Sequence, residues 1–151
     1  MNWTVVQRIL GLLLMLFSLT MLPPILFSLY YQDNSWLPFV EGFGITLAAG
    51  LLCWLPVHRV RKELRLRDGF LVVAAFWTVL GTAGAAPLFF ADSLNLTVTD
   101  AVFESMSGLT TSGATILTGL DELPVSILYY RQQLQWLGGM GIIVLAVAVL
   151  P

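Results

Sequence analysis

Apolar residues in this chain come in long blocks separated by short polar breaks, at about residues 5–31, 36–57, 69–90 and 129–151. Each block suffices for a helix of about 20 residues, the length that crosses a hydrocarbon core about 30 Å thick. The pattern predicts an all-α integral membrane protein. In the first block, Pro23-Pro24 removes two backbone donors and should kink or end the helix near its far side. The block is too long for the apolar part of a signal peptide, about 7–15 residues, and lacks a clear small-x-small cleavage site. It is read as a retained helix. Tyr30, Tyr31 and Trp36 flank the polar turn Gln32-Asp33-Asn34-Ser35, as aromatic residues do at a membrane interface. The second block ends at Pro56. The third is small-sided in its outer half, at Gly81, Ala83, Gly84, Ala85 and Ala86, which permits close helix approach in lipid, and Pro87 is expected to close it.

The segment between the third and fourth blocks does not fit a plain spanning helix. Thr97-Val98-Thr99-Asp100 has capping-box spacing, a hydroxyl followed three residues later by an acid, so a helix should begin there. It meets Gly108 after about a dozen residues, too few for a span that needs about 20. A short helix running into a Gly-bearing loop predicts a re-entrant segment, because non-helical backbone is tolerated at membrane depth only inside protein or beside a water-filled cavity.

Composition agrees on the solvent: 58% of residues are hydrophobic and 11% charged, against about 25% charged in soluble domains. The net charge of −2 conceals a basic cluster, since five of the seven Lys and Arg residues fall within residues 58–68. Short cytoplasmic loops retain Lys and Arg, which places this loop and the N-terminus inside; binding of anionic headgroups by the same cluster is compatible with that topology. Arg131 then lies on the outer side, against the simple charge rule. Cys53 reads as a small apolar residue, Glu41 as an interfacial acid near the outer end of its segment, and His58 as an interfacial residue beside the basic loop. Gly138-Gly139-Met140-Gly141 reads as a smooth patch for tight packing, with flexing as the alternative.

The candidate chemistry lies in residues 108–115. Thr110-Thr111-Ser112-Gly113-Ala114 offers consecutive main-chain oxygens, and Gly113 can take the positive φ needed to turn them to one side. Rings of such carbonyls replace the hydration shell of an alkali ion in selective channels. The short helix should point its C-terminal end, with about half a negative charge, into the membrane and toward a cation. Asp100 suits the positive start of that helix; Glu104 suits either the same role or that of an acid concentrating cations at the outer mouth. On composition alone, an ordinary Ser/Thr/Gly-rich connection fits the loop as well. Serine hydrolysis is excluded by placement, because His58 falls on the opposite membrane face from Ser112 and no general base is available.

Residues 100–115, DAVFESMSGLTTSGAT, and 130–151, YRQQLQWLGGMGIIVLAVAVLP, resemble the first pore repeat of the TrkH/TrkG potassium-uptake family, within the Trk/Ktr/HKT superfamily. The likeness extends to Met1. It implies an N-terminal transmembrane helix pair at 1–57, a basic cytoplasmic loop at 58–68, and a helix–pore loop–helix repeat of the potassium-channel type at 69–151. The pore helix would fall at about 98–108 and the filter at about 110–115. Carried residue by residue, the ion-binding carbonyls fall on Thr111, Ser112 and Gly113, with Thr110 and Ala114 beside them and potassium at Thr111 and Ser112. The family usually has Thr where this chain has Ser112; with main-chain ligands the change bears on selectivity rather than on the role.

Family members carry four such units around a pseudo-fourfold axis, move potassium inward across the bacterial inner membrane, and work with a TrkA-like cytoplasmic nucleotide-binding gating subunit. The resemblance therefore implies a multi-pass potassium transporter, not an enzyme, with the potassium ion as cargo, no other cofactor in this chain, and the lipid bilayer rather than nucleic acid as its surroundings. One loop is a quarter of a ring. The expectation is a portion of a four-repeat chain, with a homotetrameric small cation channel and a non-conducting membrane interaction protein as alternatives.

Overall fold

The computed structural model describes residues 3–59 and 66–149, and among these every regular element is helical, without a strand. In chain order they are α1 (Trp3–Leu19), α2 (Leu22–Tyr31), α3 (Trp36–Trp54), α4 (Leu66–Phe90), the short α5 (Val98–Leu109) and α6 (Val125–Val149), with single 3₁₀ turns at Leu55–Val57, Asp92–Leu94 and Leu120–Glu122. Among the described residues, three stretches are long and apolar enough to cross a membrane: Trp3–Tyr31, which takes in α1 and α2, then Trp36–Val57 and Leu71–Phe90. The core of the basic loop, residues 60–65, and the terminal residues 150 and 151 lie outside the described residues.

The first apolar block breaks at Thr20 and Met21, ahead of the prolines, so that Pro23 and Pro24 stand in the first turn of α2. Proline is tolerated there because the N–H it lacks would have no intrahelical partner. The Thr20 hydroxyl donates to the Phe17 carbonyl at 2.6 Å and the Ser18 hydroxyl to that of Met15 at 2.7 Å, covering the end of α1. Pro87 does not close α4, which continues to Phe90. Its ring lies where α3 presents Gly42, so close that a Cβ on Gly42 would stand 2.6 Å from the Pro87 Cγ. Tertiary packing thus carries the helix past a residue that usually ends one. α6 begins at Val125, earlier than the apolar pattern marks it.

α4 packs against α1, α3 and α5, and α6 lies against α5 and α2. Close approach is achieved with small residues, as expected where lipid offers no hydrophobic drive to association. α1 meets α3 at Gly11 and Gly50, where a Cβ on Gly11 would come within 2.9 Å of the Gly50 carbonyl oxygen. The small face of α4 receives α5: Gly81 faces Met106 and Gly84 faces Ser105. Met21, Phe39, Leu88, Ala101, Leu109, Ile127, Tyr130 and Leu134 form the buried centre. This frame holds α5 and the loop after it.

Candidate functional site

α5 starts as its sequence dictates. The Thr97 hydroxyl accepts from the Asp100 N–H at 3.2 Å, and the Asp100 carboxylate accepts from the Thr97 N–H at 3.1 Å, so both halves of the capping box are formed. This occupies Asp100 at the helix start, where an acid also complements the dipole.

At the other end the chain leaves α5 by folding back over its last turn. The Thr110 N–H and hydroxyl both donate to the Met106 carbonyl, at 2.8 and 2.7 Å, and the Thr111 N–H donates to that of Gly108 at 2.9 Å. The Ser107 carbonyl then accepts from the Ser112 N–H at 3.0 Å and the Gly113 N–H at 3.4 Å. Such a turn needs left-handed backbone, and Gly113 supplies it at φ +72°. Thr111 also lies there, at φ +58°, a conformation that costs a non-glycine residue about 1–3 kcal/mol and persists only where surroundings enforce it.

Two side chains of α5 pin the loop. The Ser107 hydroxyl donates to the Ala114 carbonyl at 2.6 Å and lies 3.3 Å from the Ser112 hydroxyl. One turn earlier, Glu104 accepts from the Thr115 hydroxyl at 2.5 Å and the Ile116 N–H at 2.7 Å on one carboxylate oxygen, and from Arg131 Nε of α6 at 3.1 Å on the other. Glu104 is only 3% exposed. That burial and pairing conflict with a carboxylate concentrating cations at an open mouth; its contacts are those of a strut joining α5, the loop and α6. Arg131, out of place by the charge rule, is the counter-ion that makes this burial tolerable.

The N–H groups of residues 110–113 are thus bonded back to the last turn of α5. Among the described residues no donor meets the carbonyls of Thr110, Thr111, Ser112 or Gly113, and residues 110–116 are all exposed. Ala114 differs, since its carbonyl is taken by Ser107. The structure therefore brings the sequence-predicted residues together as a run of open carbonyls, Thr110 to Gly113, with Ala114 anchored at its end. α6 passes directly behind: a Cβ on Gly138 would lie 1.8 Å from the Leu109 carbonyl oxygen, so only glycine fits this crossing.

Ser107 and Arg131 were not among the predicted site residues, and Thr115, within the predicted filter stretch, acts through its side chain on Glu104. A faint signal existed, in that Glu104 and Ser107 are three apart and share a helix face, and a chain with few charges within its apolar blocks has few partners to offer a buried acid.

Among the described residues, helices long and apolar enough to cross a membrane, and a capped half-length helix ending in an exposed loop, have the make-up of an integral membrane protein. A family model, TrkH, described as cation transport protein, matches residues 37–151. The chain belongs to the TrkH family of cation transport proteins, a family of transporters and not of enzymes. It is 62% identical over 151 residues to the Trk system potassium uptake protein TrkH of Halomonas elongata, covering all of this chain and 31% of that one. Against the TrkG protein of Escherichia coli K12 the identity is 44% over 147 residues, or 97% of this chain and 30% of the relative. The crystal structure of the potassium transporter TrkH from Vibrio parahaemolyticus superposes with a TM-score of 0.95 at 59% identity, over 100% of this chain and 32% of that chain. The chain thus spans about a third of the length of the relatives it matches.

Proposed function

We propose that this chain forms the first wall of a potassium-selective filter in a Trk-type uptake protein of the bacterial inner membrane. The observation that carries this is the run of carbonyls from Thr110 to Gly113, which no donor meets among the described residues, in a loop whose N–H groups at 110–113 and flanks at Ala114 and Ile116 are bonded back to α5. Carbonyls so arranged substitute for the hydration shell of an alkali ion, and the C-terminal end of α5 adds a partial negative charge beside them. Thr111, Ser112 and Gly113 supply the filter carbonyls, with potassium held at Thr111 and Ser112, Thr110 stands beside them, and Ala114 ties the wall to Ser107. Glu104 acts behind the filter, not at its mouth. Potassium as the cargo is supported by the potassium uptake named for the relatives.

The remaining walls come from further repeats of a longer chain, in line with the threefold greater length of the relatives. The N-terminus and the basic loop face the cytoplasm, where a TrkA-like nucleotide-binding subunit gates the pore. Potassium-dependent growth of an uptake-deficient strain tests the proposal: the natural-length protein restores growth at low potassium, and Gly113→Asp, which sets a carboxylate in the filter turn, abolishes it at unchanged membrane abundance. Retained growth with Gly113→Asp overturns it.

A further inference from the structure

The polar turn between α2 and α3 is bound to α6 across 93 residues of sequence. Asp33 stands in that turn. One of its carboxylate oxygens accepts from the Ser28 hydroxyl and from the Ser35 N–H at 3.0 Å; the other accepts from the Ser126 N–H at 3.0 Å and hydroxyl at 2.7 Å. Ser126 is the second residue of α6 and fully buried. Its N–H is one of the helix-start donors that have no partner within their own helix. Asp33 therefore caps α6 from outside, with its charge against the positive end of the helix.

The contacts continue along the same turn. Phe27 of α2 stacks on Tyr129 with ring centres 4.1 Å apart, and Phe39 of α3 meets Tyr130 edge-on at 5.3 Å. The Tyr130 hydroxyl donates to the Gly84 carbonyl of α4 at 2.9 Å. The next residue is Arg131, which holds Glu104 and through it Thr115 and Ile116. A slip of α6 by one residue would move Arg131 about 1.5 Å along the axis and about 100° around it, enough to break its bond to Glu104.

The geometry points to Asp33 as a positioning residue for the filter loop, setting the register of α6 so that Arg131 meets Glu104. The N-terminal helix pair is then part of the filter's scaffold rather than an appendage. This rests on the proposal that residues 110–114 line a cation filter.

The test is rubidium uptake by the natural-length protein in uptake-deficient cells, normalised to the amount in the membrane and measured with and without competing sodium. Asp33→Asn raises the half-saturating rubidium concentration about three- to tenfold, the factor expected from weakening one charge-assisted contact. It also lowers the preference over sodium, while the maximal rate per molecule changes less. Ser126→Ala shifts both quantities the same way by a smaller factor, and the double variant is no worse than Asp33→Asn because both act on one contact. Unchanged half-saturation and preference, with uptake falling only in step with protein abundance, overturns the inference. Should Asp33→Asn not accumulate, Ser126→Ala, which keeps the backbone bond, decides by the same two quantities. Gly113→Asp separates the underlying proposal: retained uptake there refutes the filter itself, whereas lost uptake with an unresponsive Asp33→Asn refutes only the role of Asp33.

Discussion

Replacing Glu104 by Gln keeps the size of the strut and removes its charge. One amide oxygen can still accept from Thr115 and Ile116, but the group then facing Arg131 Nε, now 3.1 Å from a carboxylate oxygen, is an NH₂. The guanidinium is left 7% exposed without its counter-ion. Breaking a buried pair from one side costs about 3–5 kcal/mol, because the remaining charge is uncompensated. The bonds to Thr115 and Ile116 also lose their charge assistance, roughly halving each. Glu104→Gln should therefore destabilise the segment by about 3–5 kcal/mol, and Arg131→Met by a similar amount. The double variant, lacking both charges, should recover a coupling of about 2–3 kcal/mol. Reversible unfolding of the natural-length protein in mixed micelles reads the cycle, with rubidium uptake as the companion measurement. Strictly additive effects of the two substitutions, or a Glu104→Gln protein as stable as the parent, would refute the buried strut.

Gly138→Ala sets a methyl 1.8 Å from the Leu109 carbonyl oxygen, and relief requires α6 to move off α5; a loss of about 1–3 kcal/mol with reduced uptake is expected, whereas Gly44→Ala, which meets nothing within 4 Å, should be tolerated in the same assays. Thr97→Ala removes the cap of α5 and should cost about 1 kcal/mol, seen as faster hydrogen exchange in residues 98–101. Burial opposes the charge on Asp33, but hydrogen bonds from Ser28, Ser126 and Ser35 outweigh it and hold its carboxyl below the ordinary 3.8. A group with a depressed folded-state value contributes stability that is present above its unfolded value and lost as the pH falls through the folded one. Unfolding midpoints should thus be flat in Asp33's contribution at neutral pH and decline below 3.8, and Asp33→Asn should remove that part of the decline.

What was legible in the sequence was local or compositional. The apolar blocks mark the long helices, and Thr97 with Asp100 marks the start of α5 because a capping box involves only residues three apart. The left-handed turn at Gly113 follows from its lacking a Cβ. What sequence could not show was set by partners far along the chain. Pro87 reads as a helix end until Gly42 of α3 is seen to receive its ring. Glu104 reads as either a helix-start acid or a mouth acid until Arg131, 27 residues on, is found beside it. Asp33 reads as a turn residue, yet its carboxylate caps α6. The positive φ of Thr111 had no sequence signal, since threonine rarely adopts it.

An ion map of the natural-length protein shows where the cation sits. Crystals or cryo-EM grids prepared in rubidium or thallium should show an ion coordinated by the main-chain oxygens of Thr111 and Ser112, displaced when the same protein is prepared in sodium. A site formed instead by side-chain oxygens such as those of Glu104 and Thr115, with nothing against the carbonyls from Thr110 to Gly113, would contradict it.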